Sequence, residues 1–234
     1  FAIAKSLNRE FISEKVSYGL RKPSRSIVPP IYKENNQNLW PDYDPKEAKS
    51  ILEKEGFCKG NILEIPLTFR SNVPSDKLIA LSWQEEIKNV LGDCINIQIN
   101  GVESTTIYKN LSLGTYAAVI LDWTGAYSDP EAYLTPLLSC SDLEGEICKK
   151  GESVYSGSFW GSKKVENLFL DSENINGKER LAKLIKIEKI ASKSIPYIPI
   201  WISSQKAWSQ NEISKPIFNG AGIISLSDLK LINE

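Results

Sequence analysis

Residues 63–100 read LEIPLTFRSNVPSDKLIALSWQEEIKNVLGDCINIQIN. The first eight alternate, with Leu63, Ile65, Leu67 and Phe69 on one face and Glu64, Pro66, Thr68 and Arg70 on the other, which is the pattern of a strand with one buried face. Pro66 has no N–H to give, so it places this strand at a sheet edge or turns that position towards no partner. From Pro74 the period changes. Ile79, Trp83, Ile87 and Val90 or Leu91 recur at helical spacing, and Gly92 ends the helix. Ile95, Ile97 and Ile99 then alternate again. Strand, helix and strand in so short a length predict a parallel pair joined by a right-handed crossover.

Working outward, ESTTIYKNLSLG (103–114) suits a short helix, and YAAVILDW (116–123) is a continuous apolar run, as in a strand covered on both faces. The unit therefore extends to a third parallel strand. Upstream, DYDPKEAKSILEKEG (42–56) carries a full set of helix signals: Asp44 as N-cap, Pro45 at the first position, Glu47 completing a capping box and Gly56 as the stop. Residues 1–18 suit one amphipathic helix with Ile3, Leu7, Phe11 and Ile12 on one side. Residues 21–43, rich in Pro, Asn and charge, read as a long surface loop. Downstream, helices are expected near 162–172 and 178–193. IPYIPIWI (195–202) reads as a strand whose two prolines suggest an edge or a crossing.

Composition narrows the function. The 234 residues hold 28 Lys plus Arg against 29 Asp plus Glu, so no basic field points to nucleic acid. No apolar run is long enough to span a bilayer, and no signal peptide is visible. Histidine is absent, which removes Ser-His and Cys-His catalysis and His-ligated metals. No metal or cofactor is expected. None of the four cysteines makes a CxxC. Cys140 and Cys148 bracket SDLEGEI, which reads as a polar loop. Cys58 precedes one strand and Cys94 opens another, so if those strands are neighbours the two thiols share one end of the sheet. Pairing Cys58–Cys94 and Cys140–Cys148 implies an oxidising compartment; the alternative is four buried reduced thiols.

In an open parallel sheet, ligands sit where strands end and helices begin. Three loops do so here: SNVPS with Asn72, GVEST with Glu103 and Ser104, and DWTGAYSDP with Trp123, Thr124, Gly125 and Tyr127. The last two should leave neighbouring strands. Within the third, Asp129 caps a helix beginning at Pro130 and Gly125 permits a tight turn. That leaves Trp123 and Tyr127, with Thr124 between them, as candidate ligand contacts, beside Glu103, Ser104 and Asn72. No catalytic residue is assigned. The enzymatic alternative is a carboxylate-dependent hydrolase using Asp122 and Asp129 or Glu103.

The order of AIAKSLNREFI (2–12), YDPKEAKSILEKEGF (43–57), IALSWQEEIKNVLG (79–92), DWTGAYSDPEAYLTPLL (122–138) and YIPIW (197–201) resembles the solute-binding proteins of ABC transporters for peptides, the family that holds the dipeptide-, oligopeptide- and nickel-binding proteins. The resemblance covers nearly the whole chain. It implies an α/β fold, a type II periplasmic-binding-protein-like lobe with a mostly parallel sheet flanked by helices. It also implies that the chain is the C-terminal half of a longer polypeptide, which the helical pattern at Phe1 fits. Residues 1–203 would form the ligand-binding lobe and residues 204–234 a segment returning towards the other lobe.

By the same resemblance the protein is monomeric and periplasmic or otherwise extracytoplasmic. It closes on a small-molecule or peptide ligand and docks on the transmembrane subunits of an ABC permease. A ligand-sensing domain of a regulator is the alternative. The peptide-binding relatives carry, three residues after the tryptophan, an aspartate for the peptide amine, an aromatic near Ser104 and a basic residue near Ile120. Here the aspartate position is Ala126, which argues against amine-anchored peptides.

Overall fold

A computed structural model describes residues 1–32, 38–219 and 222–232. The N-terminal segment forms α1 (Ala2–Lys5) and α2 (Arg9–Ser17), followed by β1 (Lys22–Pro23) and α3 (Pro45–Lys54). The central unit is β2 (Leu63–Arg70), α4 (Pro74–Leu91), β3 (Ile95–Val102), α5 (Ser104–Asn110) and β4 (Ala118–Val119). After it come α6 (Glu131–Leu138), β5 (Asp142–Glu144), β6 (Ile147–Lys150), α7 (Glu152–Tyr155), α8 (Lys163–Glu173), α9 (Gly177–Ser194) and β7 (Trp201–Ile202). Among the described residues no helix is long and apolar enough to cross a membrane.

The expected crossover is present. β2 and β3 pair in parallel from Leu63↔Ile95 to Arg70↔Val102, with α4 between them in sequence. The strand order is β3-β2-β4, so β2 is central and not an edge strand. Pro66 is tolerated there because of which way its missing N–H would point. The N–H groups of Leu63 and Ser71 both donate to carbonyls at the β3 side, Cys94 and Val102. Odd-numbered amides therefore face β3, and position 66 faces the other side, where β4 pairs only from Leu67 onward. Central placement also corrects the reading of Thr68 and Arg70 as outward: both are buried. The third strand is shorter than the apolar run suggested, and β3 and β4 are not neighbours, because β2 lies between them.

The first eighteen residues do not make one helix. The apolar period runs through, but Asn8 turns its side chain to accept from the Phe11 N–H and starts α2 afresh. At α3, Asp44 caps the Glu47 N–H as expected. The reciprocal half of the capping box is missing, since the Asp44 N–H donates to the Lys5 carbonyl while Glu47 pairs with Lys5 Nζ at 2.6 Å. The SDLEGEI segment is a hairpin, β5–β6, and not a loop.

Residues 21–43 are less of a surface loop than their polarity suggests, and 33–37 lie outside the described residues. Val28 and Trp40 are buried. A fully buried carboxylate draws the chain inward: Glu188 of α9 accepts from Ser26 Oγ at 2.6 Å, Ile27 N at 2.7 Å and Val28 N at 3.1 Å. The prolines of 195–202 leave only Trp201–Ile202 as strand, paired with β1.

Two apolar clusters result. One packs α1 to α4 on the sheet around Ile12, Leu52, Leu67, Ile87, Leu91, Ile95 and Ile97. The other joins α6, α8 and α9 through Leu134, Leu138, Val165, Leu184 and Ile187. Both cysteine pairings are present as disulfides. Cys58–Cys94 joins the amino ends of β2 and β3 with Cα atoms 4.0 Å apart, and Cys140–Cys148 spans the hairpin at 5.8 Å. The first is closer than the usual spacing of about 4.4–6.8 Å.

Candidate ligand site at the strand ends

The three loops that leave the carboxyl ends of β3, β2 and β4 are joined by side chains. Asn72, after β2, accepts through Oδ1 from both the Ser104 N–H (3.1 Å) and the Ser104 hydroxyl (2.5 Å). That links the β2 and β3 loops. Glu103 is exposed, and its carboxylate caps α5, accepting from the Thr105 and Thr106 N–H groups at 2.7 and 3.3 Å.

Arg70, the last residue of the central strand, makes the other link. Its Nε and Nη2 grip Asp76 in the first turn of α4 at 2.7 and 3.1 Å, and Nη1 donates to the Tyr108 hydroxyl at 3.2 Å and to Asp122 after β4. Burial alone would lower the Arg70 pKa, but the bonds and charges of Asp76 and Asp122 outweigh it and raise it above its ordinary value. Sequence reading missed Arg70 because a strict alternation puts it in water. The available signal was an Arg closing a strand with an acid six residues on, in the first turn of the next helix.

The loop 122–131 rises from this base. Trp123 and Tyr127 are about half exposed, at 45% and 51%, and Thr124 and Ala126 are exposed. The Trp123 indole N–H donates to the Ala132 carbonyl at 2.9 Å. That carbonyl is the α-helical acceptor for residue 136, which is a proline without an N–H. Trp123 thus satisfies a group that Pro136 orphans, while one side of its ring stays in solvent.

Gly125 is needed for proximity and not for a special turn. A Cβ there would stand 2.7 Å from Cε2 and 2.9 Å from Cζ of the Tyr133 ring. Tyr133 in turn packs on Tyr32 with ring centroids 5.9 Å apart.

At its far end the loop is clamped. α6 begins at Glu131 with Pro130 in the N-cap position, one residue later than expected. Asp129 accepts from the Glu131 N–H at 2.8 Å and also from Arg180 of α9 at 2.7 Å; Glu131 holds the same guanidinium. These bonds raise the Arg180 pKa above its ordinary value. Burial, followed by the charges of Glu131 and Asp129, raises that of the Tyr127 phenol. Asp122 and Asp129 are held by different arginines, Arg70 and Arg180. A groove between α2 and α4, lined by Phe11, Lys15, Glu85 and Glu86 among others, includes none of the strand-end residues.

Residues 2–145 match the family model for bacterial extracellular solute-binding proteins, family 5 (middle region). The chain belongs to this family. Among curated relatives it is 26% identical to the oligopeptide-binding protein OppA of Bacillus subtilis over 92% of this chain and 38% of that protein. It is 25% identical to the heme-binding protein A of Haemophilus influenzae over 85% of this chain and 35% of that one.

Two solved structures place the fold. A dipeptide-binding protein from Pseudoalteromonas sp. SM9913 in complex with Met-Leu superposes with a TM-score of 0.77 at 22% identity, covering 99% of this chain and 44% of that chain. A periplasmic oligopeptide-binding protein from Borrelia burgdorferi gives 0.80 at 22% identity, again over 99% and 44%. The fold is therefore that of the type II periplasmic binding proteins, α/β with a parallel sheet flanked by helices. The chain spans less than half the length of the proteins it matches. The relatives are binding proteins, not enzymes, and members of this family act outside the cytoplasm.

Proposed function

We propose that this chain is the ligand-binding lobe of a two-lobed solute-binding component of an ABC import system. It captures a small solute against its strand ends, passes it to the transmembrane permease subunits, and performs no catalysis. Residues 1–203 form this lobe, and residues from 204 run towards the opposite lobe. The high exposure of Trp208, Ile217, Leu226 and Leu231 in that stretch supports packing against a further body. The two disulfides favour a periplasmic or other extracytoplasmic location. The contact set is Trp123, Thr124, Gly125 and Tyr127, with Asn72, Glu103 and Ser104 beside them.

The observation that carries this reading is the convergence of three strand-end loops, tied by Asn72–Ser104 and Arg70–Asp122, beneath two half-exposed aromatics. Such an apolar wall with a few fixed polar groups suits a small organic solute. The exposed Ala126 supplies no acid for a peptide amine. The test uses the full-length protein purified from its native host, with mass spectrometry of the solute it carries. Trp123→Ala is expected to lose that solute while remaining folded, with a binding loss of about 1–3 kcal/mol. A variant that still melts cooperatively and retains the solute at wild-type occupancy would refute the assignment.

A further inference from the structure

Resting on the solute-site reading above, we infer that Asp122 is a built-in counter-ion. It occupies the outward anion position of Arg70, so that the strand-end surface receives a neutral or cationic group of its solute there and excludes a carboxylate.

The charges and exposures carry the argument. Arg70 is buried, with its side chain 7% exposed, and Asp76, at 4%, engages it through two bonds. That pair is electrically complete. A buried guanidinium held by a bidentate carboxylate needs no second acid. Asp122 nevertheless sits on Nη1, the nitrogen that Asp76 leaves free and Tyr108 shares, and its own side chain is 74% exposed. With its acid so open to water the pair adds little to global stability beyond tying the β4 loop to the strand. What it does change is the surface. With Asp122 in place the cluster of Arg70, Asp76 and Asp122 carries a net charge of −1, and the arginine's outward donor is filled.

The three loops add no cation of their own, and Arg180, at the far end of the third, is taken up by Asp129 and Glu131. The loop stretches SNVPS, GVEST and DWTGAYSDP contain Glu103, Asp122 and Asp129 but no Lys or Arg. A carboxylate arriving at Arg70 would have to displace Asp122 and then lie near two acids and one guanidinium. A hydroxyl or ammonium group instead meets an exposed carboxylate whose sequence neighbour, Trp123, is a half-exposed ring. Acid plus indole suits a positively charged or hydrogen-bond-donating group.

The experiment follows Arg70 itself, so it does not depend on knowing the solute. Full-length protein labelled with nitrogen-15 arginine is titrated with acetate, the simplest carboxylate probe, against a chloride control of equal ionic strength. The Nε–H resonance of Arg70 is assigned by its loss in Arg70→Lys. Wild type is expected to respond to acetate no more than to chloride. Asp122→Ala frees the Nη1 N–H that Tyr108 does not take, and Asp122→Asn leaves it only a neutral acceptor. Both variants are expected to bind acetate saturably there, with affinity raised at least about tenfold. A saturable acetate response of wild type with the variants' affinity overturns the inference, and so does an absence of response in both variants. Because Asp122 is exposed, both variants should melt as wild type does. If no solute co-purifies yet the acetate response appears on removal of Asp122, the broader reading fails and the counter-ion role stands.

Discussion

Replacing Trp123 by phenylalanine keeps a ring in the loop but removes its donor. The Ala132 carbonyl, on a residue 1% exposed, then loses the indole bond and cannot recover a helical one, because residue 136 is proline. A buried acceptor left without a partner costs about 1–3 kcal/mol. The smaller ring adds little, since almost half of the original side is already in solvent. We therefore expect Trp123→Phe to destabilise by about 2 kcal/mol. Pro136→Ala supplies the missing N–H in the same helix, and in that background the cost of Trp123→Phe should fall by about 1 kcal/mol or more. Equilibrium urea unfolding of the four proteins in a double-mutant cycle reads this coupling directly. Additivity within about 0.3 kcal/mol would show that the indole and the proline do not share one carbonyl, and the account of why this tryptophan is fixed in the loop would fall.

Two further outcomes follow from the same structure. Removing the Cys58–Cys94 bridge, which closes a 36-residue separation, should cost about 4 kcal/mol, against about 2.5 kcal/mol for the 8-residue Cys140–Cys148 bridge, by loop-closure entropy; paired Cys→Ala variants compared by chemical denaturation check the order, and equal losses would contradict it. Burial raises the pKa of Glu86 despite its bonds to Asn8 and Tyr43, so the folded chain holds that proton more tightly than the unfolded chain and loses stability as pH rises from the ordinary Glu value through the raised one. Glu86→Gln should thus stabilise the protein at neutral pH, with the gain vanishing as pH falls below the ordinary value; a gain that persists in acid would refute the cause.

The β2–α4–β3 unit was legible because each element kept its own period over at least six residues, and most of the apolar residues on that period are buried, although Thr68 and Arg70 are buried as well. Strand order was not legible. A βαβ pattern dictates parallel pairing, but it leaves open which side of the pair the third strand joins, and Pro66 pointed to an edge that β4 occupies from Leu67 onward. The misreading of Arg70 followed from that, since alternation assumes a wet face that a central strand lacks. In residues 1–18 the apolar spacing ran unbroken across Asn8, whose capping role depends on backbone geometry that periodicity does not record. The loop 122–131 was placed correctly at a strand end, yet Gly125 answers to the Tyr133 ring and Asp129 to Arg180, partners eight and fifty-one residues away in sequence. Local pattern finds a loop; distant side chains decide its shape.

The Cys58–Cys94 bridge lies at the amino ends of β2 and β3, a full strand length of roughly 26 Å from the loops those strands deliver. Parallel strands can in principle slide past one another by two residues and keep their faces, because only odd steps exchange inside for outside. Such a slide would carry Ser104 about 6–7 Å from Asn72 and uncouple two of the three loops. The covalent tie acts as a datum at one end of a ruler. It fixes where counting starts, so that eight residues later the two ends arrive level, and the shape presented to a solute is gauged from a point that no solute touches.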